Sequence, residues 1–174
     1  MNSLLDLIKA HLKQPEYLHA LLRVFPVEGL ALGIMALIIA LVQRSRSAQI
    51  TALILVFFCS AMAWPAAKFG EEGYDRIEAM SQDAGYAWLD AHAQRATKTV
   101  FVFYILAGVS LVALVLPWKF PRTAVPLAAF NLLLSFGSLA VGGWIAYAGG
   151  QIRHSEFRYG RPPEKLGGYE KMRD

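Results

Sequence analysis

Four histidines, His11, His19, His92 and His154, together with a run of acidic residues, carry the ligand chemistry of this chain. Imidazole nitrogen binds transition metals and haem iron, and carboxylate oxygen completes the shell of a harder ion. Most of the acid lies in one polar stretch, Lys68–Lys98, which holds Glu71, Glu72, Asp75, Glu78, Asp83, Asp90 and His92 between two apolar segments. His19 stands near the start of the chain, and His154 with Glu156 near its end. Three histidines with one or two carboxylates suit a non-haem transition metal such as iron, copper or zinc. Two histidines on facing helices would instead ligate a b-type haem axially. These histidines flank the apolar runs rather than lying within them, which favours the small ion. Magnesium or calcium would prefer the carboxylates alone.

Other chemistries lack their parts. The chain has no Gly-rich phosphate loop and no HExxH, and its single cysteine, Cys59, lies inside an apolar run. One cysteine allows neither an intrachain disulfide nor a CxxC metal site. A formal charge of +4 without a long basic run is better explained by residues flanking apolar segments than by a nucleic-acid partner, and none is expected.

The elements that must position these residues are set by composition. Of 174 residues, 56% are hydrophobic and 17% charged, where a soluble domain carries about a quarter charged. The apolar residues fall in runs of about 18 to 25, the length of a helix crossing ~30 Å of hydrocarbon. The expectation is an all-α integral membrane four-helix bundle, one domain of residues 1–174 lodged in the lipid bilayer, with spans near 18–42, 50–69, 100–118 and 125–148. Residues 1–14 set Leu4, Leu5, Ile8 and Leu12 opposite Asp6, Lys9 and Lys13, an amphipathic interfacial helix that Pro15 stops. It is not a secretory signal, because its apolar part is too short. Residues 68–98 read as a polar loop or helix outside the bilayer. Residues 151–174, with Gly160, Pro162, Pro163, Gly167 and Gly168, read as an extended polar tail.

Within the spans, Pro26 predicts a kink, and Glu28 either faces the bundle near Arg23 or reaches the interface beside it. Gly137, Gly142, Gly143, Gly149 and Gly150, in or just after the fourth span, permit close helix approach, and Asn131 is expected to hydrogen-bond to a neighbouring helix. Tyr74, Tyr86, Trp88, Trp144 and Tyr147 read as an interfacial aromatic belt. No internal sequence repeat is evident. Four crossings place all four histidines on one side of the membrane. At 1.5 Å per residue, His19, Glu72, His92 and His154, with Glu156, reach a similar height, one from each span. Ligand sites in helix bundles are built in this way. The function expected is a membrane-embedded metal- or haem-binding protein with a His/Glu cluster at one surface, in a redox or respiratory setting. The alternative is a non-catalytic accessory subunit of a larger membrane complex, such as an electron-transfer or respiratory assembly.

The stretch QPEYLHALLRVFPVEGLALG resembles the H-P-x-x-x-H…F-P-I-G opening of an uncharacterised bacterial family of four-helix predicted membrane proteins of unknown function, some of them fused to Rieske iron–sulfur domains. GEEGYDRIEAM with LDAHAQRATKTV is similar to that family's G-E-x-A…H-x-x-x-A segment, and AGGQIRHSEF to the G-G-x-I-R-H-x-E ending of some members. The likeness covers about 140 residues of the chain. It implies a redox setting and carries over His19, Glu72, His92, His154 and Glu156 as candidates, without implying a reaction. Gln14 stands where the first histidine of the opening is expected, which leaves His19 alone there. The expected location is a bacterial inner membrane. Arg44, Arg46, Lys119 and Arg122 in short loops favour the cytoplasm for their side, so the histidine-bearing side is expected to be extracytoplasmic.

Overall fold

Regular structure in the computed structural model is entirely helical among the residues it describes, 4–81, 83–160 and 163. The elements are α1 (Leu4–His11), α2 (Pro15–Leu22), a π-turn (Phe25–Gly29), α3 (Leu30–Val42), α4 (Arg46–Ala61), α5 (Ala63–Glu72), α6 (Tyr74–Ala79), α7 (Asp83–Thr99), α8 (Phe101–Lys119) and α9 (Ala124–Arg153). Short 3-10 turns cover Pro121–Thr123 and Ser155–Phe157. Positions 161, 162 and 164–174, most of the expected polar tail, lie outside the described residues, as do 1–3 of the expected interfacial helix.

Local chemistry explains the breaks. Pro15 opens α2 at the position where a missing N–H costs nothing. Pro26 removes a helical donor, and the chain absorbs this as a π-turn over Phe25–Gly29 instead of a simple kink. Glu28, in that turn, is exposed rather than turned into a core. Pro65 cannot donate back along the helix, and α4 and α5 part at Met62. Arg44 adopts φ 52°, the left-handed conformation that ends many helices. The Ser45 hydroxyl then caps α4 by accepting from the Ala48 N–H at 3.3 Å.

Among the described residues four stretches are long and apolar enough to cross a membrane: Pro15–Val42, Arg46–Glu72, Ala84–Lys119 and Pro121–Arg153. The shortest, of 27 residues, measures about 40 Å at 1.5 Å per residue, beyond the ~30 Å of a hydrocarbon core. The Lys68–Lys98 segment is nearly all helix, made from the end of α5, all of α6 and most of α7. Likewise α9 runs on to Arg153.

The chain divides into two compact units. The apolar unit, Arg23–Trp64 and Val100–Gly142, has one core of Leu30, Ile34, Val56, Cys59, Phe103 and Leu106 and a second of Leu37, Ala52, Leu53, Ala113 and Ala128. Its polarity is inverted relative to a soluble bundle. Ser60, Ser110, Asn131, Ser135 and Ser138 are buried, whereas Leu32, Met35, Ile39, Ile105 and Leu133 are exposed. Two of these buried polar groups hold each other across helices. Asn131 Nδ2 donates to Ser110 Oγ at 2.8 Å, joining α9 to α8, as expected of that residue. Ser110 and Ser135 donate to carbonyls four residues back in their own helices.

In the same unit α3 and α4 approach closely because Gly33 has no side chain. A Cβ there would stand 3.0 Å from Val56 Cγ2. A β-branched residue in a helix has one strongly preferred rotamer and cannot turn aside. Gly33→Leu is therefore expected to lower stability by about 1–3 kcal/mol, with part recovered by Val56→Ala. Unfolding titrations of the single and double variants in detergent measure this coupling, and additive losses would show that the pair does not set the α3–α4 approach.

Candidate functional site

The second unit, Met1–Leu22, Pro65–Thr99 and Gly143–Asp174, contains all four histidines and all five residues singled out by the sequence. Small apolar clusters, Tyr74 with Leu89 and Trp88 with Ala91 and Ala148, form its interior. Polar contacts then fix the helices. Glu16 on α2 pairs with Arg76 on α6, and Gly73 lies against the Glu16 backbone, where a Cβ would meet its nitrogen at 3.0 Å. On α7, Arg95 donates to the Trp144 carbonyl at 2.7 Å and covers the Trp144 ring at 4.4 Å. Arg158 donates to the carbonyls of Gln151 and Ile152, each at 2.8 Å, satisfying acceptors left over at the end of α9. Burial pushes the Tyr74 phenol pKa well up, helped by Tyr86, Asp90 and Glu78, so it stays neutral.

Two imidazoles meet in this frame. His19 on α2 and His92 on α7 stand with ring centroids 6.0 Å apart and planes at 82°. Each ring is oriented from another helix. His19 Nδ1 lies 2.7 Å from the Ala66 carbonyl on α5, and His92 Nδ1 lies 2.9 Å from the Ile145 carbonyl on α9. A carbonyl only accepts, so both nitrogens carry the proton and donate it. In a neutral ring that places the lone pair on Nε2, the tautomer commonly found in metal-ligating histidine.

A glycine makes each approach possible. Four residues beyond Ala66 is Gly70, where a Cβ would meet His19 Nδ1 at 2.7 Å. Four residues beyond Ile145 is Gly149, where a Cβ would meet His92 Nδ1 at 3.0 Å. A helical side chain leans over the turn before its own Cα, so a residue at i+4 ordinarily screens the carbonyl at i. Glycine removes the screen, and the carbonyl's second lone pair accepts the imidazole N–H. The arrangement occurs twice, once for α2 with α5 and once for α7 with α9. Its trace in the sequence is slight: His19-Ala20 and His92-Ala93, with x-Ala-x-x-Gly over 66–70 and over 145–149. The sequence shows no such repeat; Gly149 stands in it as a helix-packing glycine, and Gly70 is not marked at all.

The other candidates stand apart from the pair. Glu72 is exposed, with Oε1 3.9 Å from Lys68 Nζ one turn back. His154 and Glu156 are exposed and joined to each other, Nδ1 to Oε1 at 2.9 Å, with the His154 ring stacked on Phe157. His11 is also exposed, its Nδ1 2.7 Å from the Leu7 carbonyl of its own helix. Among the described residues no group of three or more His, Cys, Asp or Glu is placed to hold a metal ion. No family model, curated protein or solved structure matches this chain.

Two outcomes follow from this geometry. Gly70→Ala or Gly149→Ala displaces the facing imidazole and costs about 0.5–1.5 kcal/mol for the lost bond. Ring nitrogen NMR shifts should move for the facing histidine and not for His11, and an unmoved signal would contradict the screening argument. Near the end of the chain, the Glu156 carboxyl is held below the usual range by its own backbone N–H and then by His154. Any stability it lends is present above the unfolded-state pKa and lost as pH falls through the lowered one. A carboxyl NMR titration should show that lowering, and His154→Ala should bring the midpoint part of the way back.

Proposed function

We propose that this chain is a membrane-embedded metal- or haem-binding protein of a redox or respiratory setting, with its centre held by His19 and His92. The observation that carries the reading is the pair itself. Two imidazoles from different helices stand 6.0 Å apart, and each has its ring angle and tautomer fixed by a backbone acceptor. Orientation of a ligating histidine through its other nitrogen is the usual support of a metal site, and it raises ligand basicity. A buried imidazole N–H needs an acceptor in any role, so it is the meeting of two such rings from different helices that supports the reading.

Placement in the bilayer is supported by the four long apolar stretches and by the apolar unit's inverted polarity. Lipid tails accept the exposed leucine, isoleucine and methionine side chains, and the buried Asn131 amide and the Ser110 and Ser135 hydroxyls donate within the protein. The short connections bearing Arg44, Arg46, Lys119 and Arg122 favour the cytoplasm, and the motif likeness to bacterial four-helix membrane proteins fits an inner membrane. Glu72, His154 and Glu156 have no part in the centre in this reading.

Elemental analysis of the chain purified from membranes in detergent, without chelators, tests the proposal. Iron, copper or zinc near one equivalent is expected in the parent protein. His19→Ala and His92→Ala are expected to lose at least about nine-tenths of it, the scale of a tenfold or greater fall in metal affinity. His154→Ala should keep it. A parent protein without stoichiometric metal would overturn the reading and favour an accessory subunit. Equal loss from His154→Ala would move the centre elsewhere.

A further inference from the structure

We infer that the end of the apolar unit bearing Arg44, Arg46, Lys119 and Arg122 is a binding site for an anionic phospholipid headgroup, whose phosphate the Arg46 guanidinium receives. The inference rests on the placement of this unit in the bilayer and is independent of the metal centre.

The four cations stand at one level. Leu37, Ala52, Ala113 and Ala128, one from each of α3, α4, α8 and α9, share a core cluster. Arg44 follows Leu37 by seven residues, Arg46 precedes Ala52 by six, Lys119 follows Ala113 by six and Arg122 precedes Ala128 by six. At 1.5 Å per residue each lies about 9–10 Å beyond that cluster. A ligand shell also needs the right helical phase, whereas a charged surface facing a membrane is made by level alone. Arg44, Lys119 and Arg122 are exposed. Their neighbours suit an interface: Trp118 is 80% and Phe120 51% exposed, and Lys119 Nζ lies 5.7 Å from the Phe120 ring centroid.

No carboxylate balances this charge. Neither Asp nor Glu occurs between Glu28 and Glu71, or between Asp90 and Glu156. Glu28, the one acid of the apolar unit, stands fourteen residues before Val42, about 20 Å along the helix. Four cations without a counter-ion in their own unit repel one another, and their surroundings in a bilayer are the headgroup layer. An anionic leaflet supplies the opposite charge.

Arg46 adds a demand for a directed acceptor. Its Nη1 reaches only Gln49 Oε1, at 3.5 Å, and Gln49 is itself buried. Its Nη2 is buried without an acceptor. A charged donor left unsatisfied is costly. Arg46 opens α4 at the rim of the unit, so its side chain gains by turning the guanidinium outward to an oxygen. A phosphodiester offers two oxygens to that planar fork, a bidentate match that a single water does not give. A headgroup with net negative charge then meets Arg44, Lys119 and Arg122, whereas a zwitterionic one brings its own cation among them.

The test is native mass spectrometry of the full chain in detergent, titrated in parallel with phosphatidylglycerol and phosphatidylcholine. Incorporation into phosphatidylcholine nanodiscs is the control for bilayer placement. Phosphatidylglycerol is expected to bind at least about tenfold more tightly, each cation near an anionic surface being worth about fivefold. Arg46→Gln should weaken phosphatidylglycerol by at least about fivefold, and Arg46→Lys, which keeps the charge without the fork, should recover only part. Arg153→Gln, in the other unit, should change nothing. Added salt should shrink the parent protein's preference, a readout that needs no variant. Equal binding of the two lipids by the parent, or an equal loss in Arg153→Gln, would overturn the inference. Displacement of the lipid by an equal concentration of inorganic phosphate would assign the site to a free anion and overturn the lipid as its occupant. A chain that does not enter the discs would overturn the bilayer placement itself.

Discussion

An imidazole N–H given to a helix carbonyl is a demanding interaction, because that carbonyl is already engaged by its own helix and shielded by the side chain one turn on. It forms where the shielding residue is glycine and where the donor helix is held at the right depth. Among the described residues it forms twice from one helix to another, to Ala66 beside Gly70 and to Ile145 beside Gly149. The rest of the histidine-bearing unit depends on those two contacts. The Glu16–Arg76 pair and the Gly73 contact set α2, and Arg95 on Trp144 sets α7 against α9. An ion pair with its arginine in solvent contributes little by itself, about 0–1 kcal/mol. Its use here is to fix which part of α2 lies beside α5.

The apolar unit solves a different problem. Its side chains cannot gain from leaving water if the surroundings are already apolar, so close contact and polar bonding must hold α3, α4, α8 and α9. Glycine at 33 and the Asn131–Ser110 bond serve those ends. Such interhelical bonds are individually modest, about 0.6 kcal/mol on average in membrane proteins. Shape at the α3–α4 contact therefore has to contribute alongside them.

Much of this was legible in the sequence. The apolar runs announced four long helices, and Asn131 announced a partner. His19 and His92 stand out as candidates by their place at the ends of those runs. Helical phase, which height counting ignores, decided what was not legible. Gly70 faces His19, so Glu72, two residues on, is turned about 200° away at 100° per residue and meets Lys68 instead. His154 lies just past the last residue of α9, where the terminal turn and Phe157 set its direction. Similarly, Pro26 announced a disturbance, but a proline does not specify whether the helix bends or widens to a π-turn. The duplicated half-site escaped because only a His-Ala pair and an Ala-x-x-Gly spacing recur, too little to stand out from an alanine- and glycine-rich chain.

The direction of the two tethers has a consequence for how the chain is made. Each histidine is held by a helix that comes later in the sequence, His19 by α5 and His92 by α9. Synthesis proceeds from the N terminus, so the first histidine gains its acceptor as soon as α5 emerges. The second waits through all of α8 until the last helix arrives. During that interval a growing chain has one ring fixed and one ring without its acceptor. Completion of α9 is thus the event that finishes the pair, and a ribosome-stalled chain ending before Ile145 is trapped one step short of it.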